Sequence, residues 1–328
     1  MTRRRVAAAF VAIVTSCCGA GIGASGAAAD DRDSGRVLIV TDESDRMRPL
    51  AAYLKDEDGI DSVIVDYTDL AEDDRILPGN LSEYDALVGY IHGDLNERTE
   101  IGIIEYTRSG GRFVAVHHMI SSGKKKNRHY FPFLGVHMDD IELARKPSEP
   151  DSHYMWREPV EKVVVNLAPG HYITSRGISW PETVDFLPTD VAGARSKRYP
   201  AITMRQTEVY SNVKRTDGNE KTLLLGYIYT DDRNSVTHAQ AIDGWIKPAG
   251  EGHIVYIQPG HFVEEFTDAG NILNQLILNA ITWNPDEPGY LTDSRECRAS
   301  HQACMRPSVL SLTPSESVAA GRAIGNTM

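Results

Sequence analysis

One stretch constrains the fold more than any other: Ser109–Gly123, which reads SGGRFVAVHHMISSG. A Gly-Gly pair precedes five residues of strand character, Arg112 to Val116. Apolar Phe113, Val114 and Val116 suit a strand buried on both faces, as in a parallel sheet. His117 and His118 follow where that strand ends. Ligands of open α/β sheets bind outside the carboxyl ends of the strands, so both imidazoles stand where reactive side chains belong.

The surrounding chain alternates strand and helix. Arg36–Thr41 (RVLIVT) is a buried strand, and Arg48–Lys55 reads as a helix with Pro49 in its first turn, ended by Gly59. Ser62–Asp66 and Tyr84–Tyr90 are further strands. Asn96–Ser109 is a helix with Gly110 at its C-terminal cap. This order predicts an α/β domain over residues 36–284, a mainly parallel, doubly wound sheet flanked by helices. Residues 124–200 are irregular apart from a strand at Glu161–Leu167. Several strands are expected over residues 201–260, the firmest at Thr222–Tyr229 and His253–Gln258. Asp268 is expected to cap a helix that buries Ile272, Leu273, Leu276, Ile277, Ala280 and Ile281 along one stripe and stops at Asn284-Pro285.

The ends of the chain suggest export. Arg3, Arg4 and Arg5 precede a short apolar core, Val6–Thr15, and Ala27-Ala28-Ala29 offers a cleavage site. Residues 1–29 therefore read as a signal peptide, which predicts a secreted or cell-envelope protein. The apolar run is too short to span a bilayer. Val14-Thr15-Ser16-Cys17 also resembles a lipoprotein box, and a lipid anchor at Cys17 is the one membrane attachment this sequence suggests. Thr2-Arg3-Arg4 hints at twin-arginine export. Cys297 and Cys304, in the polar C-terminal tail of residues 285–328, read as a local disulfide, with poor order expected beyond them. The net charge of −12 argues against nucleic acid as a partner. Lys124–Lys126 reads as a solvated loop.

The candidate chemistry centres on two histidines that follow strands, His117 and His261, the second within Gln258-Pro259-Gly260-His261. Imidazole titrates near neutrality and binds metals, so the pair reads as catalytic bases or as ligands of a divalent metal such as zinc. Glu208 and Tyr210 occupy alternate strand positions and so share a face, where they suit a base and a hydrogen-bond partner. Substrate contacts are expected from Asp42 and Glu43 after the first strand, from His92 after the third, and from His118 and His171. Continued strand geometry would point His118 away from His117. His129, His137 and His153 lie in the irregular middle, where they read as solvated loop residues or, alternatively, as the border of a site. No second carboxylate stands out opposite Glu208, which ranks a glycosidase low. There is no Gly-x-Ser-x-Gly elbow, P-loop, Gly-x-Gly-x-x-Gly or His-Glu-x-x-His, and no cysteine between residues 19 and 296.

Four segments together resemble the trehalose-utilisation (ThuA-like) family, which has a class I glutamine-amidotransferase-like fold. They are Gly110–His117; His171–Thr174 with Gly177-Ile178; Thr207–Tyr210; and Gly252–Tyr256 through Gly260-His261 to Asn279–Trp283. Tyr172, Thr207 and His253 stand where the family pattern has Pro, Asp and Arg, and no histidine follows the first strand. In the amidotransferases a nucleophilic cysteine occupies the position of His117 or His118, so glutamine hydrolysis is not expected here. The resemblance implies a small carbohydrate ligand, as a sugar or keto sugar. A non-catalytic carbohydrate-binding or envelope scaffold is the alternative, and it gains if His117, Glu208 and His261 do not share one cleft.

Overall fold

The computed structural model describes residues 35–67, 73–139, 154–218, 220–233, 235–268 and 272–286. The export segment with Cys17, His153, the cysteine pair and the tail beyond residue 286 lie outside the described residues. The first half runs β1 (Arg36–Thr41), α1 (Ser44–Asp58), β2 (Asp61–Asp66), α2 (Pro78–Leu81), β3 (Ala86–Tyr90), α3 (Glu97–Arg108) and β4 (Arg112–Val116). Then come α4 (Tyr130–Leu134), β5 (Val136–His137), β6 (Met155–Asn166), α5 (Tyr172–Ser175), β7 (Glu182–Phe186), β8 (Lys197–Ser211) and β9 (Lys214–Arg215). The last elements are β10 (Thr222–Asp231), β11 (Val236–Ala249), β12 (Gly252–Ile257), α6 (Glu264–Thr267) and α7 (Leu273–Thr282).

Ten strands form one mixed sheet in the order β2-β1-β3-β4-β12-β11-β10-β6-β8-β7. The half from β2 to β12 is parallel, and from β12 onward every pairing is antiparallel. Alternate residues of the parallel strands enter two cores, one on each face. Leu38, Leu87, Phe113 and Ile254 pack with Ile103 and Ile104 of α3. Val37, Val88, Val114 and Val255 pack with Leu50 and Leu54 of α1 and with Leu276 and Ile277 of α7. Helices on both faces explain why β3 and β4 read as continuous apolar runs.

Two helix starts differ from the sequence reading. α1 begins a turn earlier, at Ser44, because Met47 and Leu50 bury in phase with Leu54. Pro49 is therefore interior, and its missing N–H falls opposite the exposed Asp45, where a lost helical bond costs least. Asp268 ends α6 rather than opening α7, which starts at Leu273; the expected apolar stripe is buried as a unit.

The long strands β6 and β8 place the site. β6 pairs with β10 only over Val163–Asn166, while its earlier residues pair with β8 alone. The free part of this ribbon reaches the carboxyl ends of β4 and β12, where Tyr210 N donates to Gln258 Oε1 at 2.9 Å.

Lys124 is not solvated; it is fully buried. Its ammonium donates to the carbonyls of Ile91 (2.5 Å), Gly93 (2.8 Å) and His118 (2.8 Å). Three N–H groups thus tie the loop after β3 to the turn after β4. Lys124→Met should remove about 2 kcal/mol of stability or more, because it strands the buried carbonyls of Ile91 and His118 and the half-buried one of Gly93. Urea denaturation measures this, and an unchanged midpoint would contradict it.

Candidate functional site

The strand ends at Val116, and His117 adopts a φ of 43°, in the left-handed region. That conformation costs a non-glycine residue about 1 kcal/mol or more and is characteristic of functional sites. It turns the chain into a 3-10 segment, His117–Ile120. Strand alternation is therefore lost, and His118 packs against His117 with ring centroids 4.4 Å apart instead of pointing away.

His117 Nδ1 lies 2.5 Å from the carbonyl oxygen of Gln258. A carbonyl can only accept, so Nδ1 carries a proton; Nε2 can donate to Glu208 only when the ring carries a second proton, and without it offers its lone pair to a metal. Nε2 then faces Glu208 Oε2 at 2.8 Å, His261 Nδ1 at 3.2 Å and the Tyr210 hydroxyl at 3.4 Å. Tyr210 also stacks on the His117 ring, at 5.0 Å and 19°.

His261 meets Glu208 Oε2 through Nδ1 at 2.8 Å and the Glu158 carboxylate through Nε2. It is presented by Gly260, whose φ is 124°, and a Cβ there would sit 3.2 Å from Phe266. Buried Glu265 fixes this loop by accepting from Gly260 N (3.1 Å), Phe262 N (2.9 Å) and the Thr207 hydroxyl (3.0 Å). Arg46 donates to the His261 carbonyl.

Glu158 was missed in the sequence. The pairing of β6 with β8 shifts register between Arg157 and Val160, and Glu158 within this irregularity meets His261 Nε2. Proline in a strand marks such bulges, so Glu158-Pro159 was the available signal. Lys162 and Asp243 were also missed. They form a fully buried ion pair at 2.9 Å, and Lys162 reaches Gln258 Oε1 at 3.3 Å, behind His117.

The rim residues divide. His92 stacks on His118 at 4.3 Å and 10°, and ligand atoms of Glu43, His92 and His118 lie within 4.8 Å of one another. Glu43 is held by Arg46 at 2.7 Å. Asp42 is occupied with the loop, accepting from His92 N at 2.8 Å and Gly93 N at 3.3 Å. His171 is not brought to the site. Its ring accepts from Ile173 N at 3.1 Å and packs on Trp283, which also touches His253 at the start of β12, the opposite end of the sheet.

The charge states follow from these contacts. Burial alone would raise the Glu208 carboxyl, but hydrogen bonds with His117 and His261 outweigh it and hold the group at about 2. Burial opposes a charge on His261, yet Glu208 and Glu158 raise it above the usual imidazole range. Burial and the adjacent His117, His92 and His261 push His118 down, so it is neutral.

Ligand atoms of His117, His118, Glu208 and His261 all lie within 4.8 Å of one another. Three imidazoles and a carboxylate are a donor set that suits zinc. The outer nitrogens of His117 and His261 are held by a carbonyl and a carboxylate, as the outer nitrogens of metal-bound histidines are. His118 Nδ1 is buried without a hydrogen-bond partner among the described residues. The residues present therefore fit a divalent metal.

The family model described as trehalose utilisation (ThuA) matches residues 36–284. A solved ThuA-like protein from Bacteroides uniformis is 17% identical, with a TM-score of 0.52 over 81% of this chain and 98% of that one. A second, from Parabacteroides merdae, is 14% identical, with a TM-score of 0.51 over 76% of this chain and 90% of that one. These likenesses show the fold. Among curated proteins none matches.

Glu208 titrates near 2 when folded, against 4.5 for the free side chain, so its stabilisation is present above about pH 4.5 and is lost as pH falls toward 2. Linkage puts that contribution at about 3 kcal/mol. Glu208→Gln should be less stable than the parent at pH 6, and the gap should narrow on acidification. Denaturation at pH 6 and pH 3 reads this out, and a gap that stays constant would refute it.

Proposed function

The chain belongs to the trehalose-utilisation (ThuA) family, and from that premise we propose that it is an exported carbohydrate-active enzyme acting on a small sugar or keto sugar by proton transfer. The observation that carries the reading is Glu208 Oε2 lying 2.8 Å from imidazole nitrogens of both His117 and His261. The scaffold alternative would have gained had these three side chains lain apart.

Keto-sugar chemistry removes a proton beside a carbonyl and must stabilise the enediolate that results. His117, His261 and Glu208 would hold a divalent metal such as zinc, with His118 beside them. Such an ion supplies Lewis-acid polarisation of a sugar oxygen. His261, raised by Glu208 and Glu158, is the stronger base of the cluster and takes the proton where it is not a metal ligand; His118, held neutral by burial and its neighbours, does not. Tyr210 stays protonated, because burial raises its phenol, and donates a hydrogen bond to a substrate oxygen. Gln258 keeps the His117 proton on Nδ1, so Nε2 faces the centre.

Glu158 supplies the second carboxylate that a glycosidase would need. However, it and Glu208 contact opposite nitrogens of His261, so an imidazole stands between them. Glutamine hydrolysis lacks its thiol, as there is no cysteine between residues 19 and 296. Export rests on the arginine-led N-terminal segment, with lipidation at Cys17 as its variant.

Elemental analysis of the purified protein, with turnover assays on trehalose, glucose and their keto forms, tests the proposal. Stoichiometric zinc and turnover of at least one sugar are expected, both abolished by His117→Ala or His261→Ala; each substitution also lowers the melting temperature, because it takes one partner from buried Glu208, while circular dichroism at 25 °C shows the fold retained. Glu158→Gln should weaken zinc binding about 10- to 100-fold, as loss of a partner behind a metal ligand does. A protein with neither metal, turnover nor sugar binding would overturn the reading.

A further inference from the structure

β1, β3 and β4 are neighbours in the sheet and end on one rim. The loops that leave them are pinned to one another. Asp42, after β1, accepts from His92 N at 2.8 Å and Gly93 N at 3.3 Å in the loop after β3. Lys124 joins that loop to the turn after β4 through the carbonyls of Gly93 and His118, both at 2.8 Å. The Ser121 hydroxyl adds a bond to the His92 carbonyl at 2.5 Å. Each loop presents one side chain able to ligate a metal. These are Glu43, His92 and His118, whose ligand atoms lie within 4.8 Å of one another.

His118 is the telling member. Its ring is buried, its Nε2 faces Glu208 Oε2 at 3.9 Å, beyond hydrogen-bond distance, and its Nδ1 has no hydrogen-bond partner among the described residues. A buried ring nitrogen left this way is costly, and a metal ion satisfies it. His92 stacks on His118 with ring planes 10° apart, so the two imidazoles reach the group side by side. Glu43 gives one oxygen to Arg46 Nε at 2.7 Å, which leaves its other oxygen to ligate. Arg46 is itself fixed by the Tyr90 hydroxyl at 2.9 Å and by the His261 carbonyl, so the carboxylate is held from behind, as ligating carboxylates are. Two imidazoles and one carboxylate are the donor set of zinc sites that keep a position open.

We propose that Glu43, His92 and His118 form a second, outer site for a divalent first-row metal ion, adjoining the centre at His117, His261 and Glu208, with open positions for water or a substrate oxygen. The proposal goes beyond the proton-transfer reading and rests on it only for the inner ion. Two ions on one rim can hold two neighbouring oxygens of one substrate. Because His92 is exposed and Glu43 half-buried, the outer ion exchanges with solvent and is read by titration, not from the ion that survives purification.

Calorimetric titration of the metal-free whole chain with zinc chloride tests it. The parent should take up two ions, the outer one at least about ten-fold more weakly than the inner. His92→Ala, at an exposed position, and Glu43→Gln, which keeps the side-chain shape, should each lose the outer ion and keep the inner; His261→Ala should do the reverse. One ion that survives His92→Ala, or two ions that survive His92→Ala or Glu43→Gln, would overturn the outer site and leave the inner reading standing. One ion lost in all three variants would mean a single centre and would also overturn the outer site. One ion lost with His92→Ala but kept by His261→Ala would uphold the outer site and overturn the inner centre. Uptake of none would overturn both.

Discussion

An ionised carboxylate kept almost wholly out of water is the constraint from which the site follows. Glu208 can stay charged there because His117 and His261 both reach one of its oxygens at 2.8 Å. Neither histidine is near it in sequence, and Glu208 lies on β8, four strands from β12 in the sheet. The contact exists because the β6–β8 ribbon leaves the sheet and crosses the ends of β4 and β12.

The surroundings hold this arrangement from behind. Lys162 and Asp243 anchor Gln258, whose carbonyl sets the His117 tautomer. Glu265 and Arg46 fix the His261 loop. Lys124 joins the β3 and β4 rims. These groups are buried and paired, so removing one partner leaves an uncompensated polar group that is costly in the protein interior. Such support keeps His117, His261 and Glu208 in place.

The parallel half of the fold was legible because it is written locally. Apolar runs bounded by Gly, Asn and Asp name β1, β3 and β4, and His117 follows from where β4 stops. The pairing of His117 with His261 followed from two strand ends on one rim. Glu208 and Tyr210 were readable as a face but not as neighbours of His117, since that depends on how far a ribbon bends. His118 was misplaced because a backbone turn at His117 has no signature in a His-His pair. Lys124 looked solvated because lysine beside two more lysines in a glycine loop is indistinguishable from a surface run. Glu158 was hidden in a bulge. His171, expected to touch substrate, instead caps α5 with its ring at the far end of the strands.

The central claim is that His117, His261 and Glu208 form a metal centre of nitrogen and oxygen donors. Zinc K-edge X-ray absorption on the zinc-loaded full chain addresses it most directly. The account predicts a first shell of nitrogen and oxygen at about 2.0–2.1 Å with the multiple scattering of coordinated imidazole. An oxygen-only shell without imidazole scattering, or a shell containing sulfur, would contradict it.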